Sequence, residues 1–146
     1  MRAVVQRVTS ASVSVSGIRV SRIGNGLLVL LGVASDDSEN DVYRLVDKIA
    51  GLRIFGDSSG KMNLDVSEIN GEILVVSQFT LYGDCRKGKR PSYSLAAKAE
   101  QARELYSLFL STMDNKGIPV KAGVFGEMME VELVNDGPVT LIIEAP

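Results

Sequence analysis

Residues Met129–Glu144 read MEVELVNDGPVTLIIE, and the architecture turns on how this stretch folds. Up to Val134 apolar and polar residues alternate, as in a strand with one face buried. After Pro138 the run VTLIIE is β-branched and apolar, again suited to a strand. Asp136-Gly137 between two such runs is a hairpin signal, because a tight turn needs φ > 0 and these residues tolerate it. Pro138 is the oddity, since it lacks the N–H that a ladder requires and stands where the second strand begins. Local chemistry therefore predicts a hairpin whose returning strand starts at Pro138. The competing reading makes Gly137-Pro138 a shaped piece of backbone with a function of its own.

Working outward, RAVVQRV, ASVSVSG and IRVSRIG read as successive strands, with Ser16-Gly17 as the turn between the last two. Leu27–Val33 is apolar without a break and is expected to be a central strand buried on both faces. Val42, Leu45, Val46 and Ile49 recur at helical spacing behind an acidic first turn, which predicts a first helix. GDSSGK reads as a loop and EILVVSQF as a further strand. A second helix runs through KAEQARELYSLFLSTMDNKG, with Ala102, Leu105, Tyr106, Phe109, Leu110 and Met113 as its apolar stripe and Gly117 as its stop. Further strands are expected near Val120, over Met129–Val134 and over Val139–Ile143. Hairpin-spaced strands with two inserted helices predict an α+β fold: largely antiparallel sheets forming a barrel-like core with two main helices. The absence of a linker or repeat in the sequence predicts a single domain over 1–146.

Composition narrows the function. With 45% hydrophobic residues and a net charge of −2, the chain is neither disordered nor basic enough to coat nucleic acid by bulk charge. Any RNA contact has to come from a local patch. No membrane-length apolar run or signal-peptide pattern is present, so a cytoplasmic protein without a membrane partner is expected. There is no histidine and only one cysteine, Cys85. Histidine-based nucleophile systems are thereby excluded, a zinc site is disfavoured, and neither metal nor cofactor is expected.

Two segments carry chemical promise. In GDCRKGKR, Gly83, Gly88 and Lys89 match the spacing of a phosphate-binding P-loop. Arg90, however, stands where that motif needs a hydroxyl for Mg²⁺, and Pro91 opposes a direct entry into a helix. The same loop supplies Arg86, Lys87, Lys89 and Arg90 as candidate contacts to phosphates such as those of an RNA backbone, against the ordinary reading of a solvated charge run. SQFTL, Ser77–Leu81, falls at the end of a buried strand, where a rigid frame can present side chains to a cleft. Thr80 could act as a nucleophile only if another group took its proton, and no histidine exists to do so.

Taken in order, RAVVQRVTSASVSV, GKMNLDV, SQFTL, RPSYS and AGVFGEMMEVELVNDGPVT resemble D-aminoacyl-tRNA deacylases of the bacterial type, also called D-tyrosyl-tRNA deacylases. The resemblance covers nearly the whole chain. It implies a homodimer that hydrolyses the ester joining a D-amino acid, or glycine, to the terminal adenosine of charged tRNA. Ser77, Gln78, Phe79 and Thr80 match the signature that lines the ester site, with Gln78, Phe79 and Thr80 as the catalytic candidates. Gly137 and Pro138 match a Gly–cis-Pro pair that each subunit inserts into its partner's site, and Arg7 matches the arginine that holds the pair. Phe125 and Met129 match pocket positions.

The resemblance also implies that the 2′-hydroxyl of the tRNA's terminal ribose assists the chemistry. Thr80 then lines the site while its hydroxyl is dispensable. Rigid backbone at the substrate Cα would exclude an L side chain and leave room for D, and glycine would pass. Two other readings stay open: a nucleotide-binding P-loop protein, and a non-catalytic RNA-binding module built on the basic loop.

Overall fold

The computed structural model describes residues 1–145. Its centre is β3, Gly26–Gly32, in which Leu27, Leu28 and Val29 are wholly buried. Leu30 is half-buried and the other residues of the strand are buried, close to what the unbroken apolar run predicts. Leu27, Val29 and Leu31 join one core with Ile73 and Val75 of β6, Glu72–Ser77. Leu28 joins a second core on the opposite face, with Leu74 and Val76. The period of two in the strand thus separates two hydrophobic layers.

The larger layer lies beneath the two helices. α1, Glu39–Ala50, buries Val42, Leu45, Val46 and Ile49, the predicted stripe. Its first turn is closed by Asp41, whose carboxylate accepts from the Ser38 N–H and Ser38 Oγ, both at 2.8 Å. These bonds hold the Asp41 carboxyl below its ordinary pKa and satisfy a donor that helix starts leave orphaned. α2, Ala99–Asp114, buries Leu105, Tyr106, Phe109 and Met113.

The smaller layer fills a mixed sheet that rolls nearly into a barrel. β1, Arg2–Val15, is one long strand rather than the two expected. Its first half pairs antiparallel with β3 and its second half with β2, Ile18–Ile23. The turn between β1 and β2 is Ser16-Gly17, both at positive φ. β6 lies parallel to β3, and β7, Val120–Ala122, lies parallel to β6. The seam between β2 and β7 is closed by side chains: Lys121 Nζ donates to the Arg22 carbonyl at 2.6 Å and faces Glu72 at 3.4 Å. A short hairpin, β4 (Phe55–Gly56) with β5 (Met62–Leu64), flanks the segment expected to be only a loop.

The hairpin expected at Asp136-Gly137 does not form. β8 runs from Glu130 to Glu144 as one strand, antiparallel to β1 from Arg2–Glu144 to Ser14–Glu130. The chain therefore never reverses. Between Asn135 and Thr140 it bulges out of the ladder, and the Asn135 side chain bridges the gap. Asn135 Oδ1 accepts from the Val139 N–H at 2.8 Å, while Asn135 Nδ2 donates to Thr140 Oγ1 at 2.9 Å. Pairing with β1 on both sides of the bulge outweighs the local turn preference of Asp-Gly. The Gly137-Pro138 peptide within it is cis.

Candidate active site

β3, β6 and β7 run parallel, so their carboxyl ends lie at one end of the sheet. A cleft of about 580 Å³ opens there, within the usual size for a small-molecule site. Its floor is Leu31, Val33 and Val76 at the strand ends, and one wall is the α2 face bearing Ala102 and Tyr106. The opposite wall is the turn after β7, with Phe125, Glu127 and Met129. Tyr106 donates its hydroxyl proton to the Val75 carbonyl at 2.9 Å and packs against the Phe125 ring at 5.6 Å. Burial pushes the Tyr106 phenol up to about 12, so it is a neutral wall and not a proton carrier near pH 7.

Strand β6 stops at Ser77, earlier than EILVVSQF suggests, and the chain turns into one turn of 3-10 helix, Phe79–Tyr82. Ser77, Gln78 and Phe79 line the cleft, and the Phe79 ring stands at its rim in edge contact with Tyr93 at 5.1 Å. The Gln78 N–H is used by the Leu31 carbonyl at 2.8 Å. The Phe79 and Thr80 N–H groups have no hydrogen-bond partner among the described residues. They are the orphan donors of a helical first turn, at the end of the strand that feeds the cleft. The Thr80 hydroxyl does not line the cleft; it accepts a hydrogen bond from Gln78 Nε2.

Of the residues expected to form the site, Ser77, Gln78, Phe79, Phe125 and Met129 therefore meet at one cleft. Arg7, Gly137 and Pro138 do not line it. They form a second group on the outside of the β1–β8 ribbon. Arg7 Nε donates to the Asp136 carbonyl at 2.9 Å, its Nη1 donates to the Ile54 carbonyl, and Gly137 and Pro138 are exposed.

The basic loop forms a third group, closed by paired hydrogen bonds between Asp84 and Ser92. Arg86 is committed to Asp84 through two side-chain hydrogen bonds, which hold the Asp84 carboxyl down at about 2. Lys87, Lys89 and Arg90 are exposed, and no ion pair engages them among the described residues. α2 begins only at Ala99, well past Lys89, so the loop lacks the helix start that a P-loop needs.

Sequence reasoning assigned Tyr106 wholly to the core because its helical spacing fits, yet it also walls the cleft. It gave no role to Arg103, whose guanidinium lies over the Phe125 ring at 4.7 Å. Helical phase alone carries no signal for either role.

The model of the D-Tyr-tRNA(Tyr) deacylase family matches residues 4–144. The chain belongs to this family. The D-aminoacyl-tRNA deacylase of Syntrophobacter fumaroxidans (strain DSM 10017 / MPOB) is 57% identical over 145 residues, covering 99% of this chain and 97% of that protein. The D-aminoacyl-tRNA deacylase of Desulfatibacillum aliphaticivorans is 60% identical over 145 residues, covering 99% of both chains. A solved structure of a c-Myc DNA Unwinding Element Binding Protein superposes with a TM-score of 0.95 at 46% identity, covering 100% of this chain and 99% of that one. A probable eukaryotic D-amino acid tRNA deacylase shares the fold at a TM-score of 0.84 and 19% identity, over 98% of each chain. No helix among the described residues is long and apolar enough to cross a membrane.

Proposed function

We propose that this chain is a hydrolase that cleaves the ester of D-aminoacyl-tRNA, releasing the D-amino acid and free tRNA. Family membership over residues 4–144 carries the reading. The cleft supports it: its volume suits an aminoacyl-adenosine end, and its walls are mostly apolar. The whole chain acts as one catalytic unit in the cytoplasm, where tRNA is charged.

An aminoacyl ester is already activated, so the enzyme can work by orientation and by stabilising the oxyanion. The free Phe79 and Thr80 N–H groups are suited to that oxyanion, and one such donor contributes roughly 3–4 kcal/mol. The chain has no histidine, and the 2′-hydroxyl of the substrate's own terminal ribose assists the chemistry. Thr80 does not attack. Ser77, Phe125 and Met129 hold the aminoacyl adenosine. Lys87, Lys89 and Arg90 supply phosphate contacts, and Arg86 contributes less because Asp84 holds it.

The working unit is a homodimer in which Gly137 and Pro138 of each subunit enter the partner's cleft. Two observations favour this. Among the described residues β8 pairs only with β1, and Leu133, Val134 and Ile142 on it are exposed. A long edge strand bearing apolar side chains is a template for another chain. In addition, Gly137 and Pro138 are exposed in the bulge between paired positions of β8, which Arg7 anchors through the Asp136 carbonyl. In a partner's cleft their backbone would occupy the space of an L side chain, while D substrates and glycine pass.

The decisive assay is release of tyrosine from D-Tyr-tRNA by purified protein without added nucleotide. Release with accumulation of intact tRNA is expected. Binding of charged and uncharged tRNA alike, with no release, would replace the hydrolase by a binding module. For the shared site, the Phe125→Ala homodimer should lose activity and the Gly137→Ala homodimer discrimination, while a mixed dimer of the two should regain one cleft that hydrolyses the D ester and spares the L ester.

A further inference from the structure

The seam between β2 and β7 holds a second depression, of about 480 Å³, lined by Arg19, Val20, Ser21, Arg22, Lys121 and Ala122. Arg19, Arg22 and Lys121 bring three cations to its lining, and Lys121 pairs with Glu72 at 3.4 Å. The guanidinium groups of Arg19 and Arg22 take part in no ion pair among the described residues.

The depression lies beside the cleft by two routes. Along the chain, Ala122 in the seam is followed by the turn that carries Phe125, about three residues or ~10 Å away. Across the sheet, Ser14 pairs with Arg19 on one side and with Glu130 on the other. Met129 and Val131, the neighbours of Glu130, line the cleft. Two strand spacings again come to ~10 Å. A span of ~10 Å lies within reach of the backbone phosphates that precede the terminal nucleotide of a strand.

We propose that the β2–β7 depression is a phosphate-binding site for the acceptor strand of charged tRNA, gripping the backbone next to the terminal adenosine. The proposal rests on the cleft holding that adenosine, as the hydrolase reading requires. Arg19 and Arg22 supply the charge, and Lys121 shares its charge with Glu72. Such contacts position the substrate without reading its sequence.

The test is the double variant Arg19→Ala/Arg22→Ala, with Arg44→Ala/Lys48→Ala on α1 as a control for general charge. Both seam side chains are exposed, and the bond from Lys121 goes to the Arg22 backbone, so the fold is kept. Two lost phosphate contacts should lower the slope of log affinity for uncharged tRNA against log salt by roughly 1.5. KM for D-Tyr-tRNA should rise about tenfold with kcat retained, and hydrolysis of D-tyrosyl-adenosine should not change. An unchanged salt slope, or a slope lowered equally by the control, would overturn the site. So would equal losses on tRNA and adenosine esters, since those would place the defect in the cleft. If the unaltered protein hydrolyses neither ester, the hydrolase reading fails, and the salt slope still decides the seam.

Discussion

Arg7 on β1 donates from Nε to the Asp136 carbonyl at 2.9 Å, so one strand of the ribbon fixes the bulge that interrupts its neighbour. The same guanidinium reaches the Ile54 carbonyl and faces the Asp136 carboxylate at 3.4 Å. With its side chain only 14% exposed, these bonds are shielded from competing water. Arg7→Ala should cost about 1–3 kcal/mol in chemical denaturation. It should also lower D-Tyr-tRNA hydrolysis at least tenfold. Arg7→Lys should not restore the loss, because an ammonium cannot span three acceptors as a planar fork does. Unaltered stability in Arg7→Ala would show that the bulge holds itself.

Gly137 has no room for a side chain. Its φ is +138°, and a Cβ there would stand 2.9 Å from Val139 Cγ2 and 3.0 Å from both the Val139 nitrogen and Arg7 Nη2. Gly137→Ala should therefore shift the bulge and destabilise the fold by about 1–3 kcal/mol. If the bulge is the chiral filter, the variant also narrows the ratio of D to L ester hydrolysis. A folded variant with the ratio intact would locate the filter elsewhere.

Thr80 offers its hydroxyl to the Gln78 amide and lies outside the cleft lining. Thr80→Ala should keep D-Tyr-tRNA hydrolysis within about tenfold, since the backbone N–H at that position survives the change. A loss of several orders of magnitude would make the hydroxyl a nucleophile and overturn substrate assistance.

The phenols of Tyr106 and Tyr82 are both pushed up to about 12, chiefly by burial. A folded pKa above the ordinary value of about 10 favours the protonated, native form. This contribution is complete below pH 10 and is lost as pH rises through about 12. Phenolate absorbance at pH 11 should accordingly lack these two groups while the protein is folded and gain them on denaturation. Tyr106→Phe should remove one of the two late steps. Ionisation of both near pH 10 in the folded protein would contradict the burial described.

Sequence periodicity was sufficient wherever burial alone decides structure. The α1 stripe Val42, Leu45, Val46 and Ile49 is buried as its spacing predicts, and β3 is buried apart from half-buried Leu30. It failed at Asp136-Gly137, where a local turn signal competes with a distant strand. The ladder from Val8–Asn135 to Gln6–Thr140 is long-range information, absent from the residues of the turn. The two expected strands of β1 merge for the same reason, because β8 templates the entire length. At the site, Ser77–Phe79 and FGEMM converge on one cleft, but the wall from Tyr106, and Arg103 stacked over Phe125, are invisible to a pattern that reads helix faces only as core or solvent.

The central claim is that this chain hydrolyses aminoacyl-tRNA according to the hand of the amino acid. It is tested most directly by incubating purified protein with D-Tyr-tRNA and L-Tyr-tRNA side by side and following tyrosine release. Rapid release from the D ester with the L ester intact is the predicted result. Equal release from both would leave an esterase without a chiral filter, and the role assigned to Gly137 and Pro138 would be contradicted.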